Sequence, residues 1–196
     1  MSLLKNSCLA IFTLVLIISC GSSNDTGGKR ASVISTNNIN TTFNSEYKRH
    51  VKEYYGQIES KEYEVIRKKI EQELPYQISP QNAVLIHFRQ QANNCISMYE
   101  NGSNYLKSLK FNLKMSSKVS KDQGLSDFFV FTKDAYLLDQ INMKKNFIMD
   151  SGFFSNNIFT EREMCSAFII IKPDGKFLKY YGEDYYTKIK DFLKVD

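Results

Sequence analysis

AFIIIKPDGKFLKYY, residues 167–181, is the stretch whose reading decides the fold. Ala167 to Ile171 is an unbroken apolar run, dominated by β-branched isoleucine, and reads as a strand. Lys172-Pro173-Asp174-Gly175 reads as a turn, because proline fixes φ and glycine accepts a positive φ. Lys176 to Tyr181 then returns as the second strand of a hairpin. Asp184 to Val195 closes the chain as a helix, with Tyr185, Ile189, Phe192 and Leu193 on one face.

Working back from the hairpin, Ala83 to Arg89 (AVLIHFR) is a second nearly continuous apolar run. It reads as a strand buried on both faces, as in a parallel or mixed sheet. A polar elbow, Gln90-Gln91-Ala92-Asn93-Asn94, leads from it to Cys95. Ile96 to Leu109 has helical spacing, weakened by Gly102. Phe111, Leu113 and Met115 alternate, which fits a short strand as well as a helix end. Asp127 to Thr132 (DFFVFT) is a further buried strand, Ala135 to Phe147 is read as helical, and Phe147 to Asp150 as briefly extended. Before all of these, Glu46 to Leu74 is read as one helix, capped by Ser45 and ended by Pro75. Its apolar stripe runs through Tyr47, Val51, Tyr54, Tyr55 and Ile58, slips near Ser60, and continues through Tyr63, Ile66, Ile70 and Leu74. The expected fold class is therefore α/β, a central mixed sheet flanked by helices, with an extra N-terminal helix.

Composition adds bounds. The chain is 42% hydrophobic and 24% charged, with a formal charge of +5 spread along its length. The basic run Arg67, Lys68 and Lys69 is balanced by Glu64, Glu71 and Glu73. No cluster of basic residues interleaves with aromatics, so a nucleic-acid partner is not expected. There is no glycine-rich phosphate loop, and no cofactor is expected. His50 and His87 stand far apart without cysteine or carboxylate at zinc spacing, so no metal site is expected either.

The N-terminus carries the sharpest local signal. Lys5 precedes an apolar run, Leu9 to Ser19 (LAIFTLVLIIS), that is too short to span a bilayer as a helix. Ile17-Ile18-Ser19-Cys20 then resembles the lipobox of bacterial lipoproteins. In that family the cysteine receives a diacylglycerol thioether, the signal is cut before it, and the new amine is acylated. The matching residue is Cys20. The resemblance implies residues 1–19 as signal peptide, a palmitate-type anchor on Cys20, and a protein held at the cell envelope, on the outer membrane or the periplasmic face. Two or more inserted acyl chains make such anchoring stable, at about 0.8 kcal/mol per buried methylene. Residues 20–44 are rich in Ser, Asn, Thr and Gly without apolar periodicity and are expected to form a flexible tether. Residues 45–196 are the size of one domain.

Of four cysteines, the lipobox resemblance puts Cys8 in the signal and Cys20 at the lipidated position, which would leave Cys95 and Cys165 in an exported, oxidising setting. They are one disulfide, a redox pair, or two inert thiols. No C-x-x-C is present.

The order strand, Cys elbow, helix, strand, helix, strand, hairpin, helix resembles the thioredoxin-like fold over Ala83 to Asp196. The AFIIIKPDGKFLKYY hairpin is similar to that family's third and fourth core strands, and Ala83 to Cys95 to its first core strand and active-site loop. The resemblance implies a thiol–disulfide oxidoreductase acting on a protein thiol or envelope protein partner. It also marks departures. Where the family has C-x-x-C, this chain has Ala92-Asn93-Asn94-Cys95, which puts Ala92 at the attacking position and Cys95 at the second; a slip of one turn instead makes Cys95 the first, with Met98 in place of the second, and either way dithiol exchange within this loop is lost. Where the family has a cis-proline, this chain has Ser166, with Cys165 beside it. The resemblance therefore places Cys95 and Cys165 within about 10 Å, and within bonding range if oxidised. It also puts His87 near where relatives bury a proton-shuttling group, but the residue itself is expected to be a satisfied core histidine. The alternative is a catalytically degenerate binding or assembly module with a structural disulfide or inert thiols.

Overall fold

A computed structural model describes residues 29–38, 48–95, 102–136, 138, 147–183 and 186–195. In chain order these form β1 (Lys29–Asn38), β2 (Lys48–Gln57), α1 (Ser60–Glu73), β3 (Ala83–Arg89), α2 (Gly102–Gln123), β4 (Leu125–Phe131) and β5 (Phe147–Met149). They continue as α3 (Phe153–Asn157), β6 (Ser166–Ile171), β7 (Lys176–Tyr181) and α4 (Tyr186–Lys194). The strands make one mixed sheet in the order β1-β2-β7-β6-β3-β4-β5. β3, β4 and β5 run parallel, β6 is antiparallel to β3, and the remaining neighbours pair antiparallel.

The two continuous apolar runs occupy the centre. Every side chain of β6 is buried, and in β3 all but Arg89 are buried. Alternation sends them into two cores. Val84, Ile86 and Phe88 join Ile169, Ile171, Phe154 of α3, and Tyr63 and Ile70 of α1 on one face. Ala83 and Leu85 join Phe168, Ile170, Leu178, Val119 of α2 and Ile189 of α4 on the other. Each such large side chain contributes about 1.5–3 kcal/mol when fully buried. A sheet with apolar residues on both faces needs helices on both, and has them.

The hairpin forms as read. Gly175 N donates to Lys172 O at 2.9 Å, and Gly175 has φ +85°. A side chain there would meet the Ile58 carbonyl oxygen at 2.6 Å, so the site requires glycine for space as well as for conformation.

The N-terminal reading needs correction. Lys48–Gln57 is not helical; it is β2, paired with β7 over Lys52↔Tyr181 to Gln57↔Lys176. The same residues satisfy a period of two: Val51 and Tyr55 pack into one core, Tyr54 and Ile58 into the other. The bare edge of β7, next to β6, decides between the two periods by supplying backbone partners. Only Ser60–Glu73 keeps the helix, without a side-chain cap from Glu59. Ser45 lies outside the described residues. Arg67, on the buried face of α1, donates to the carbonyls of Ile78 (3.2 Å) and Ser79 (2.6 Å), tying down the loop before β3. The stretch expected to be wholly tether contains β1, which pairs antiparallel with β2. Its weak pattern reflects an edge strand, whose neighbour supplies backbone bonds whatever the side chains are.

Farther along, Phe111, Leu113 and Met115 lie inside α2, not in a strand. Leu109, Ser116 and Val119 are buried at helical spacing, while Phe111 is 61% exposed. β4 and β5 stand where extended segments were read. Most of the helix expected over Ala135 to Phe147, residues 96–101 and residues 1–28 with Cys20 lie outside the described residues. α3 was not anticipated. It is nucleated by Asp150, whose carboxylate accepts from Gly152 N, Phe154 N and Ser155 N, each at 3.0 Å. Among the described residues, no helix is long and apolar enough to cross a membrane.

Candidate functional site

β3 and β6 are antiparallel, with Arg89 opposite Ser166. The C-terminal end of β3 therefore meets the N-terminal start of β6. The elbow leaves at the first place and Cys165 arrives at the second. Their sulfurs are bonded, with Cα atoms 5.2 Å apart across a sequence separation of 70. This lies within the 4.4–6.8 Å span typical of disulfides, and the expected proximity holds.

Local contacts fix both arms. Gln90 N donates to Cys165 O at 3.0 Å, which continues the β3–β6 ladder past its last pair. The buried Gln90 side chain donates to Glu161 O (2.7 Å) and Met164 O (2.9 Å), holding the segment that leads into Cys165. Asn94 bridges to Met164 in parallel register. Glu161 anchors the far end of that segment. Burial opposes its charge, but hydrogen bonds from Lys52 and Tyr54 outweigh this and hold its carboxyl below the usual range.

Ala92 packs against the two cysteines as a small buried cluster, and its carbonyl oxygen lies 3.9 Å from Cys165 Sγ. Its side chain is a methyl group and adds no titratable or nucleophilic atom to the cluster. Cys95 and Cys165 are 2% and 4% exposed, so an incoming thiolate reaches either sulfur only after the elbow opens locally. The described residues contain no cis peptide bond. The Ser166 hydroxyl takes part in an ionic group. Arg89 donates to Ser166 Oγ and to Glu183 Oε2 (3.2 Å), and Ser166 Oγ donates to the same Glu183 oxygen (2.7 Å).

Glu183 was not singled out from the sequence. It follows Gly182 just past β7, and Gly182 N donates to Ser166 O at 3.0 Å. That bond draws the strand end alongside Cys165. A carboxylate oxygen of Glu183 and the two sulfurs all lie within 4.8 Å of one another. No spacing rule relates positions 95, 165 and 183. Only the sheet register does.

His87 is not part of this cluster. Along β3 it points to the face of Leu85, away from Phe88, and is buried and stacked on Phe129 at 4.3 Å. Its Nε2 is 2.8 Å from Ser116 Oγ, which in turn donates to Asp127 Oδ2 at 2.7 Å. Burial, assisted by the nearby Arg89 charge, pushes its pKa down to about 3, so the ring is neutral at ordinary pH. It is a core histidine with a hydroxyl partner. No protein-family model, curated protein or solved structure matches the chain.

Proposed function

We propose that this chain is a cell-envelope lipoprotein, anchored through Cys20, whose thioredoxin-like domain carries Cys95 and Cys165 as a thiol–disulfide couple. The observation that carries the reading is the location of the bond. It ties the loop after β3 to the residue before β6, next to Ser166, where the resembled family keeps its reactive loop and its proline. The strand order β4-β3-β6-β7, with β6 antiparallel to β3, supports the same reading.

In this mechanism a partner dithiol attacks one sulfur as thiolate. The Cys95–Cys165 bond breaks as a mixed disulfide forms, and the second partner thiolate resolves it. Two electrons pass from the partner, which leaves oxidised, while both cysteines leave as thiols. In the reverse direction Cys95 attacks a partner disulfide and Cys165 resolves it.

The burial of both sulfurs and the alanine at position 92 favour a second reading, in which the bond is a structural cross-link in a non-catalytic binding module. The reduction potential separates the two. An exchange couple is expected between about −120 and −270 mV, and a structural bridge below about −300 mV.

The anchor has its own test. Cys20→Ala is expected to move the protein out of the membrane fraction, and wild-type protein extracted from membranes should carry acyl mass. An intact mass without acyl addition removes the anchoring proposal while leaving the redox reading standing.

A further inference from the structure

We propose that the reduced Cys95–Cys165 pair, together with Glu183, binds a divalent cation of the zinc class. The inference rests on the pair being reducible, as the redox reading requires, and adds an occupant for the reduced state. The geometry supplies three converging donors. The two sulfurs and a Glu183 carboxylate oxygen already lie within 4.8 Å of one another. Zinc holds thiolate sulfur at about 2.3 Å and carboxylate oxygen at about 2.0–2.2 Å, so tetrahedral ligands stand roughly 3.5–3.8 Å apart. Opening the S–S bond moves the sulfurs toward that separation.

The donors come from three backbone segments locked by the sheet. Cys95 ends the elbow, Cys165 precedes β6, and Glu183 follows β7. Gln90 N→Cys165 O and Gly182 N→Ser166 O, both 3.0 Å, fix these segments to one another. The carboxylate is also oriented for the task. Its Oε2 is held by Arg89 and Ser166, while Oε1 is buried without a hydrogen-bond partner among the described residues. That oxygen keeps a lone pair for a ligand, and the pair behind it acts as the outer hydrogen-bonding shell that metal carboxylates require.

Charge points the same way. Two thiolates and the Glu183 carboxylate, offset by the Arg89 guanidinium, leave a dianionic pocket in a poorly hydrated place. Buried uncompensated charge is costly, and a dication neutralises it. Soft sulfur combined with a carboxylate oxygen selects zinc over calcium or magnesium, which favour all-oxygen sites. A fourth position remains for water or an external donor.

The chemistry balances. A dithiol reductant gives two electrons and two protons to the disulfide and is itself oxidised to a disulfide. The cation then displaces the two thiol protons to solvent and forms two metal–sulfur bonds and one metal–oxygen bond. Because the cation binds only the reduced form, it draws the couple toward reduction. A 100-fold shift in the dithiol to disulfide ratio corresponds to about 60 mV for this two-electron couple.

The test uses detergent-solubilised full-length protein, refolded under a phosphine reductant and titrated with Co²⁺ as a spectroscopic probe, then with Zn²⁺. Expected are one equivalent of Co²⁺ with a thiolate-to-metal charge-transfer band, its displacement by Zn²⁺, and no band in oxidised protein. Cys95→Ser should abolish the band. Glu183→Gln should keep it but weaken Zn²⁺ affinity about 10- to 100-fold. If reduced wild type binds no more tightly than Cys95→Ser, or if Glu183→Gln binds as wild type does, the site is overturned. Should Glu183→Gln fail to fold, the wild-type midpoint potential decides. A midpoint that does not rise with added Zn²⁺ overturns the site. Refolding under reductant makes the binding result independent of potential, so a midpoint below about −300 mV without Zn²⁺ removes the redox reading alone.

Discussion

Replacing Cys95 and Cys165 together by alanine is expected to lower the free energy of unfolding by about 4 kcal/mol. The bond closes a loop with a sequence separation of 70. Loop-closure entropy for a ring of that size gives about 4 kcal/mol of denatured-state constraint. Paired alanines avoid leaving a buried polar atom where the sulfurs stood. Loss of the cross-link falls on one place, the junction of β3 and β6, where Gln90 and the Asn94–Met164 bridge remain. The native sheet should survive, and the elbow should exchange its amides faster than the strands. Urea unfolding of wild type, with and without reductant, beside the double variant checks this. The reduced wild type should match the variant within about 1 kcal/mol, provided zinc is excluded by chelation. A double variant as stable as oxidised wild type would show that the loop stays closed without the bond.

Acid should unfold the domain through His87. Its pKa stands at about 3 in the folded chain, against an ordinary value of 6.5. The folded state therefore binds fewer protons than the unfolded state between those two values. The stability arising from this difference is complete above about pH 6.5 and is lost as pH falls toward 3. At most about 1.4 kcal/mol is lost per pH unit, and a few kcal/mol across the window. Groups facing the ring among the described residues include Ser116 and, through it, Asp127 from one side, Phe129 stacked on it, and Tyr186 at 6.1 Å. None is a cation, and Arg89 is the charge that opposes protonation. His87→Gln keeps a partner for Ser116 and removes the titration. Its unfolding midpoint should change less between pH 7 and pH 4 than that of wild type. Equal pH slopes for the two proteins would assign the acid sensitivity to the carboxylates instead.

The central strands and the closing hairpin were legible because their information is local. Five consecutive apolar residues in Ala167–Ile171 and the Pro173-Asp174-Gly175 turn determine their own conformation almost without context. The N-terminal strand β2 was not legible. Val51, Tyr54, Tyr55 and Ile58 satisfy a helical period and a strand period at once, and the edge of β7 decides between them.

By itself, then, the sequence determined an α/β chain with three apolar strands, a tight hairpin and two cysteines left over in its folded part. The approach of Cys95 to Cys165 was inferred only through a resemblance. The tertiary structure decided the rest. It turned Lys48–Gln57 into sheet, packed His87 against Phe129 and Ser116, and brought Glu183 to the sulfurs. The reason is physical. Strand alternation and turn chemistry act over a few residues and are written in order along the chain. A three-residue cluster drawn from positions 95, 165 and 183 exists only once antiparallel register aligns three strand ends.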